Sequence, residues 1–287
     1  MTCAISCHIF RCCQNLPPAC YLPPRRYSML RRCNYSIKRL ILASALPLML
    51  LLSTSTVHAA DLVVSAAASL TNAFKDLGQA FEAQNPDTKV ILNFAASDVL
   101  LQQIIKGAPA DVFASADQEA MNKAEAEKAV LAASRKNFAN NQIVLIVPAD
   151  SQLRIQQLQD LAQPAVKRVA YGNPASVPVG RYTKAALEHA NLWDVVAAKG
   201  VPAQNVRQSL DYVARGEVDA GFVFSTDAAI MPDKVKVALH VPSQTAVSYP
   251  IAVTSNTRQA DMAAKFVAYV LSPAGQATLA RYGFLKP

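Results

Sequence analysis

Ser69 stands where the sequence predicts that a strand ends and a helix begins, a position at which a protein can bind an anion. The apolar run 62–64 precedes it, and apolar side chains follow at helical spacing, at Leu70, Ala73, Phe74, Leu77 and Phe81. The first backbone N–H groups of a helix lack acceptors, and the helix dipole favours negative charge there. Ser69 therefore marks a candidate anion site, although a serine in this place is also a common helix cap that binds nothing.

Two further segments show a similar pattern. The apolar run 90–94 is followed by Ser97, which begins a second predicted helix. The turn 177–180, with the sequence Val-Pro-Val-Gly, leads into a helix predicted over 182–190, and its free groups are main-chain N–H donors. A plain proline-led helix start explains this turn equally well.

Asp98 follows Ser97 directly, and its charge bears on which ion could bind there. An acid in the first helical turn is favoured by the dipole, so we expect Asp98 to face solvent. If Asp98 faced the site instead, it would repel an oxyanion and favour a cation.

An enzymatic site has few candidate parts in residues 60–287. This part of the chain contains His189 and His240, no cysteine and no Gly-x-Ser-x-Gly elbow, so neither a nucleophilic triad nor a zinc site is predicted. His189 falls late in a predicted helix, where capping or solvation is the favoured interpretation. Four acids near strand ends or turns are predicted to cap elements or to accept hydrogen bonds between them: Asp111, Asp117, Asp219 and Asp227. We predict no catalytic residue and no cofactor.

Short apolar runs alternate with amphipathic segments of helix length, and this order predicts an α/β fold. Strands are predicted at 62–66, 89–95, 112–116, 143–147, 168–171, 221–224, 235–241 and 251–253. Such alternation is typical of parallel sheets covered by helices. Ligands of these sheets bind outside the carboxyl ends of strands, which is where Ser69 and Ser97 are expected to lie.

Residues 1–59 are predicted to be an N-terminal extension and an export signal that is removed. Basic residues within 31–39 precede an apolar run at 40–52, and small residues follow. Val57 and Ala59 fit a cleavage site that would leave Ala60 as the new N-terminus. The run is short for a membrane span, so a retained anchor is the less favoured alternative.

Removal of this segment changes the charge and the cysteine content. The chain has 28 Lys and Arg and 20 Asp and Glu, and the segment holds seven of the basic residues and no acid, which leaves 21 and 20. The remaining formal charge is +1 and carries no basic stripe, so nucleic-acid binding is not indicated. All six cysteines also lie in the segment, so the remainder must depend on its apolar core for stability.

A series of strings in order along the chain resembles one family. They are AAASLTNAF, FAASDVLLQQI, GAPADVFASADQEAM, NPASVPVGRYTKAAL, the pair Leu192 and Trp193, AQNVRQSL, GFVFSTDA and ARYGFLKP. Together they resemble the periplasmic molybdate-binding proteins of ABC importers, and the similarity covers essentially all of residues 60–287.

The resemblance implies a two-lobed periplasmic binding protein fold of the second type. Each lobe is then a mainly parallel sheet flanked by helices, and the ligand cleft lies between the lobes. The chain is predicted to pass between lobes near 140–141 and near 248–250. Lobe 1 would comprise residues 60–140 and 249–287, and lobe 2 would comprise residues 141–248.

The resemblance also implies a ligand, a tetrahedral molybdate or tungstate dianion held by uncharged donors. Carried over by position, the contacts fall on Ser69, Ser97, main-chain groups of Val179 and Val206, and Phe224. The family commonly has a tyrosine in place of the last of these, and its hydroxyl donates to the oxyanion.

The phenylalanine at 224 keeps the ring and lacks the donor. We expect its presence to weaken affinity more than selectivity, unless Ser225, Thr226 or a water supplies the missing hydrogen bond.

The partners implied by the resemblance are the oxyanion and the membrane permease of an ABC importer, with the protein acting as a periplasmic monomer. Two other interpretations stay open. One is a binding protein for another small anion or solute on the same fold, and the other, less favoured, is a periplasmic enzyme.

Overall fold

A computed structural model describes residues 60–287, which form two five-stranded sheets with helices packed on them. The strands are β1 (Ala60–Ala67), β2 (Thr88–Ala95), β3 (Val112–Ala114), β4 (Lys136–Asn141), β5 (Ile143–Pro148), β6 (Val169–Gly172), β7 (Gly200–Ala203), β8 (Ala220–Phe224), β9 (Val235–Val241) and β10 (Val247–Val253). The helices are α1 (Thr71–Gln84), α2 (Ser97–Ile105), α3 (Gln118–Ala126), α4 (Pro178–His189), α5 (Trp193–Ala197), α6 (Val206–Ala214), α7 (Ser225–Ala228), α8 (Ala260–Leu271) and α9 (Pro273–Arg281). Short 3-10 turns lie at Ala68–Leu70, Ala132–Ser134 and Leu158–Ala162.

The first sheet has the strand order β2-β1-β3-β10-β4. β1 is parallel to β2 and β3, whereas β10 is antiparallel to β3 and β4. Helix α1 packs on this sheet through an apolar stripe in which Phe74, Leu77 and Phe81 are buried. The periodicity that predicted this helix is confirmed.

The second sheet, in the order β7-β6-β8-β5-β9, repeats the same arrangement. β6 is parallel to β7 and β8, and β5 is antiparallel to β8 and β9. Both sheets are therefore mixed. In each sheet four strands run in one direction, in agreement with the prediction of mainly parallel sheets, and one strand, β10 or β5, runs against them. β5 and β10 are the strands by which the chain enters each sheet from the other.

Two adjacent connections join the sheets. Gln142 alone separates β4 from β5, and residues 242–246 separate β9 from β10. Asn141 pairs with Val247 in the first sheet, and Ile143 pairs with Val241 in the second, so the connections lie side by side. The division into lobe 1 (60–140 with 249–287) and lobe 2 (141–248) stays a proposal.

A cluster of buried aromatic rings surrounds Tyr249 in β10. Its ring centroid lies 6.2 Å from that of Phe138, 5.7 Å from Phe224 and 5.5 Å from Phe284. Tyr249 is fully buried, and edge-to-face packing of this kind leaves its ring little freedom. Its hydroxyl is consequently held in one place.

All eight predicted strands are present, and the sequence analysis missed β4 and β7. β4 has the polar sequence KNFANN, and β7 contains Gly200 and Pro202, so neither carries the apolar pattern of a strand. Both are edge strands, where such residues are tolerated. The free edge of β4 is partly covered because Asn140 exchanges backbone hydrogen bonds of 2.8 and 2.9 Å with Leu285.

Within residues 60–287 we find no helix of the length and apolar character that crossing a membrane requires. The predicted export signal and all six cysteines belong to residues 1–59, which lie outside the described residues. Those interpretations stay predictions.

Candidate oxyanion-binding site

The five residues that the resemblance implied as ligand contacts lie around one small cavity. Ser69, Ser97, Val179, Val206 and Phe224 all line it. The volume of the cavity is about 10 Å³. Pockets for drug-sized molecules typically measure about 300–1,000 Å³. The cavity is therefore far too small for such a molecule, and even a ligand of a few atoms would have to part its walls.

The first sheet contributes the two serines from the carboxyl ends of its parallel strands. β1 ends at Ala67, and Ser69 follows in the 3-10 turn that precedes α1. β2 ends at Ala95, and Ser97 is the first residue of α2. Because β1 and β2 are parallel neighbours in register, both turns open at the same edge of the sheet.

The second sheet contributes two helix starts and a ring. Val179 is the second residue of α4, after a proline that suits the first position because its missing N–H needs no partner. Val206 is the first residue of α6, and the side chain of Asn205 caps this helix by accepting the N–H of Gln208 at 3.0 Å. N–H groups at such positions have no acceptor within their own helix, so those of Val179 and Val206 are available to a ligand.

The walls of the cavity are uncharged. All thirteen lining residues are neutral, and most of them are alanine, valine or proline. The small apolar side chains exclude water from the cavity. The serine hydroxyls and the N–H groups of the helix starts are then left as hydrogen-bond donors to a guest. In such surroundings a hydrogen bond to a charged guest is stronger than in water.

The serine hydroxyls do not cap their helices, contrary to the interpretation from sequence. Ser97 Oγ accepts the backbone N–H of Ala116 at 3.0 Å, and Ser69 Oγ lies 3.1 Å from the hydroxyl of Tyr249. Both serines are buried. The contacts come from residues far along the chain, which is why local pattern alone suggested capping instead.

Asp98 faces neither solvent nor the cavity, so the expectation of a solvent-facing acid is wrong. Its Oδ2 lies 2.6 Å from the guanidinium of Arg181 in α4, and its Oδ1 lies 3.1 Å from Lys123. Arg181 also contacts Asp117 at 2.6 Å. Arg181 thus bridges helix α4 of the second sheet to two acids beside the first sheet, and it neutralises the charge next to Ser97.

A second arginine lies beside the turn of Ser69. Arg207, directly after Val206, donates to the backbone oxygen of Ser69 at 3.2 Å and to Asn72 Oδ1 at 2.9 Å. Its Nε lies 2.6 Å from Oδ1 of Asp227, which is fully buried. Arg207 therefore holds the start of α6 against the turn of Ser69 while its own charge is balanced by an acid.

Burial acts on the acids of both pairs. Desolvation raises the pKa of Asp117, and the neighbouring Arg181 opposes this shift. Desolvation likewise raises the pKa of Asp227 to about 6, against an opposing effect of Arg207. In each pair burial raises the pKa of the acid, and the positive charge of the arginine limits that rise.

The remaining sequence candidates have structural roles. Asp111 accepts the N–H of Val63 at 2.8 Å, Asp219 accepts the N–H of Lys167 at 2.7 Å, and Asp117 caps α3. These roles confirm the predicted ones. His189 is the last residue of α4, as expected. Among the described residues, no group of three or more His, Cys, Asp or Glu side chains is arranged to hold a metal ion.

The sequence analysis did not single out Arg181, Arg207 or Tyr249. The contacts that tie them to the other sheet or to Ser69 span 64, 138 and 180 positions, so no local spacing marks them. The only local signal is the arginine next to Val206 and the one two residues after Val179. That adjacency alone does not distinguish a bridging arginine from a solvated one.

The profile of the family "Bacterial extracellular solute-binding protein" matches residues 62–285. The chain is 36% identical over 234 residues to the molybdate-binding protein ModA of Escherichia coli, an alignment that covers 78% of this chain and 88% of that protein. For the molybdate-binding protein ModA of Haemophilus influenzae the identity is 33% over 258 residues, covering 86% and 99%.

Among solved structures, the periplasmic molybdate-binding protein of Azotobacter vinelandii superposes with a TM-score of 0.70 at 26% identity. That alignment covers 79% of this chain and 99% of the other. The chain therefore belongs to the bacterial extracellular solute-binding protein family. The predicted α/β binding-protein fold is confirmed. The chain is a transport component rather than an enzyme, which confirms that part of the sequence analysis as well.

The Arg181 bridge predicts a stability effect. Arg181→Ala leaves Asp117 buried without its cationic partner and leaves Asp98 with Lys123 alone, so the free energy of unfolding should fall by about 3 kcal/mol. Urea unfolding measures this change. Arg215→Ala is the matched control, because Arg215 is exposed and its contact with Glu217 is 3.8 Å long. We expect that control to change stability by less than about 0.5 kcal/mol. Equal losses in the two variants would contradict the role of the bridge.

Asp227 predicts a pH effect. Its pKa of about 6 exceeds the ordinary 3.8, so between about pH 4 and 6 the folded chain keeps a proton that the unfolded chain has lost. The contribution of Asp227 to the free energy of unfolding therefore falls as pH rises through this window, by on the order of 3 kcal/mol. In Asp227→Asn that fall is absent.

The measurement is urea unfolding of both proteins at several pH values from 4 to 7. The stability of the variant minus that of the wild type should increase across the window and level off above it. A difference that stays constant with pH would show that the folded state does not raise the pKa of Asp227.

Proposed function

We propose that this protein captures molybdate or tungstate and delivers it to an ABC importer. One observation carries the proposal. Two serine hydroxyls and the N–H groups of two helix starts converge on a single uncharged cavity, in a chain whose relatives of 33% and 36% identity are molybdate-binding proteins. The ligand contacts we propose are Ser69, Ser97, Val179, Val206 and Phe224.

Neutral donors are sufficient to hold a dianion. A hydrogen bond to a charged acceptor contributes about 1.5–3 kcal/mol, so four donors of fixed direction can offset much of the cost of removing the ion from water. The helix starts of α4 and α6 add favourable dipoles. With no arginine or lysine lining the cavity within the described part of the chain, release to a transporter does not require breaking a direct ion pair.

Selectivity is proposed to depend on the size of the cavity. Sulfate has the same shape and charge as molybdate, so the donors alone cannot separate the two ions. We propose that the cavity, once closed on the ion, is sized for molybdate and leaves the smaller sulfate with longer and weaker hydrogen bonds. The alanine and valine side chains that line it would then set that size.

Closure of the two lobes on the ligand is part of the proposal. The two serine donors belong to the first sheet and the two N–H donors belong to the second. The adjacent connections at 142 and 242–246 would act as the hinge. We further propose that the protein acts as a monomer in the periplasm, that residues 1–59 direct its export and are removed before Ala60, and that its partner is a membrane permease.

The proposal predicts a specific pattern of thermal stabilisation. A ligand at about 100 times its Kd adds about 2.7 kcal/mol to the stability of the folded state. For a chain of this size that corresponds to a rise in Tm of about 5–10 °C. Molybdate and tungstate at micromolar concentration should both produce it in protein that starts at Ala60, measured by differential scanning fluorimetry.

Sulfate and phosphate at the same concentration are the controls, and they should shift Tm by far less. Equal shifts from all four anions would contradict size selectivity. A shift from another anion alone would favour the alternative of a binding protein for a different small solute, and no shift from molybdate or tungstate would overturn the proposed ligand.

Replacing Phe224 by tyrosine is predicted to raise the affinity for molybdate. The ring of Phe224 lines the cavity but has no donor, so Phe224→Tyr should add one hydrogen bond to the oxyanion and lower the Kd for molybdate about tenfold. Isothermal titration calorimetry measures this change. The preference for molybdate over sulfate should stay within about threefold of wild type, because the cavity walls are unchanged. Unchanged or weaker binding would mean that another group already occupies the donor position.

A further inference from the structure

We propose that Tyr249 is a positioning residue that fixes the hydroxyl of Ser69 as a hydrogen-bond donor to the anion. The inference rests on the proposed function of the cavity. Tyr249 is one residue of a chain of hydrogen bonds that runs from Asn141 to Tyr249 and then to Ser69.

The three side chains are in contact and shielded from water. The Tyr249 hydroxyl lies 3.1 Å from Ser69 Oγ and 3.2 Å from Nδ2 of Asn141. Their exposed fractions are 0% for Tyr249, 3% for Ser69 and 6% for Asn141. With so little access for water, each hydroxyl must satisfy its hydrogen bonds from these neighbours or from a ligand.

The orientation of the Asn141 amide sets the direction of the chain. Its Oδ1 accepts the backbone N–H of Gln142 at 2.8 Å, and a backbone N–H can only donate. The Nδ2 group therefore points the other way, toward the Tyr249 hydroxyl and toward Oγ1 of Thr226 at 2.9 Å. An amide NH2 also can only donate, so the Tyr249 oxygen is an acceptor in this contact.

The single proton of Tyr249 is then left for Ser69. Ser69 Oγ accepts it, and the proton of Ser69 itself is free to donate to a guest in the cavity. Burial keeps the pKa of the Tyr249 hydroxyl well above its ordinary value, with a further contribution from the nearby Asp227 charge. The hydroxyl therefore stays protonated and able to donate.

Ser97 reaches the same result by an independent route. Its Oγ accepts the backbone N–H of Ala116, so its own proton is also free for the cavity. Both serines are thus held as donors, Ser97 by a backbone N–H and Ser69 by the hydroxyl of Tyr249. Of these two contacts, only the one from Tyr249 can be removed by mutation while the serine is kept.

Tyr249 acts through Ser69 and not on the ion. Ser69 and Phe224 line the cavity, and Tyr249 contacts both of them, with a ring separation of 5.7 Å from Phe224. Because Phe224 offers no hydroxyl, the ion depends more strongly on the remaining donors. The direction of the Ser69 proton should therefore have a measurable effect on the Kd for the ion.

The test is a set of molybdate titrations by isothermal calorimetry on protein that starts at Ala60. Tyr249→Phe keeps the ring and removes the hydroxyl that donates to Ser69, so the Kd should rise about fivefold to tenfold. Tyr282→Phe is the matched control, because its hydroxyl donates to Asp76 at 2.7 Å and neither residue lines the cavity. That variant should bind as wild type does. Urea unfolding without ligand checks that both variants are folded.

Double substitutions separate positioning from a general structural role. In the Ser69→Ala background, Tyr249→Phe should have no further effect on the Kd, because there is no hydroxyl left to orient. In the Ser97→Ala background it should keep its full fivefold to tenfold effect. A structural role of Tyr249 would weaken binding equally in both backgrounds.

The outcomes distinguish this inference from the function on which it rests. If wild type binds molybdate and Tyr249→Phe binds it equally well, the inference is overturned and the proposed function stands. Equal effects of Tyr249→Phe in both serine backgrounds also overturn it. If wild type binds no molybdate, the proposed function fails and this inference fails with it.

Discussion

The direction of a few uncharged donors is the constraint on which this structure depends. A doubly charged ion in a cavity without fixed positive charge is stable only if hydroxyl and N–H groups already point at it. Parallel strands that end together and turn into helices supply such groups at one place. Ser69 and Ser97 come from the first sheet, and Val179 and Val206 come from the second. The mixed topology of the sheets matters less than this shared edge.

Charged side chains surround the cavity, but each arginine there is paired with an acid and none of these side chains lines the cavity. Arg181 pairs with Asp98 and Asp117, and Arg207 pairs with Asp227. Each arginine also joins the two sheets, since one bridges α4 to α2 and the other reaches the backbone of Ser69. Charged side chains therefore hold the walls together, whereas neutral groups are left to face the ligand. Under the proposed function, this separation holds the two sides of the site together without placing a free positive charge beside the ion.

Much of this arrangement was predictable from sequence because it depends on short-range pattern. The eight apolar runs, the helix after Ser69 and the proline-led start of α4 are local features, and the structure has all of them. The two edge strands were missed because KNFANN and GVPA lack a strand pattern. Asp98 was misplaced because its partner Arg181 lies 83 residues away. Tyr249 was seen only as part of a connection, since its contact with Ser69 spans 180 residues.

Diffraction from crystals grown with molybdate, recorded at the molybdenum absorption edge, tests the central claim most directly because it locates the metal atom itself. The account predicts one strong anomalous peak inside the cavity, with oxyanion oxygens within about 3.2 Å of the hydroxyls of Ser69 and Ser97 and of the N–H groups of Val179 and Val206. A peak beside Arg181 or Arg207 and outside the cavity would contradict it, because binding would then depend on positive side chains.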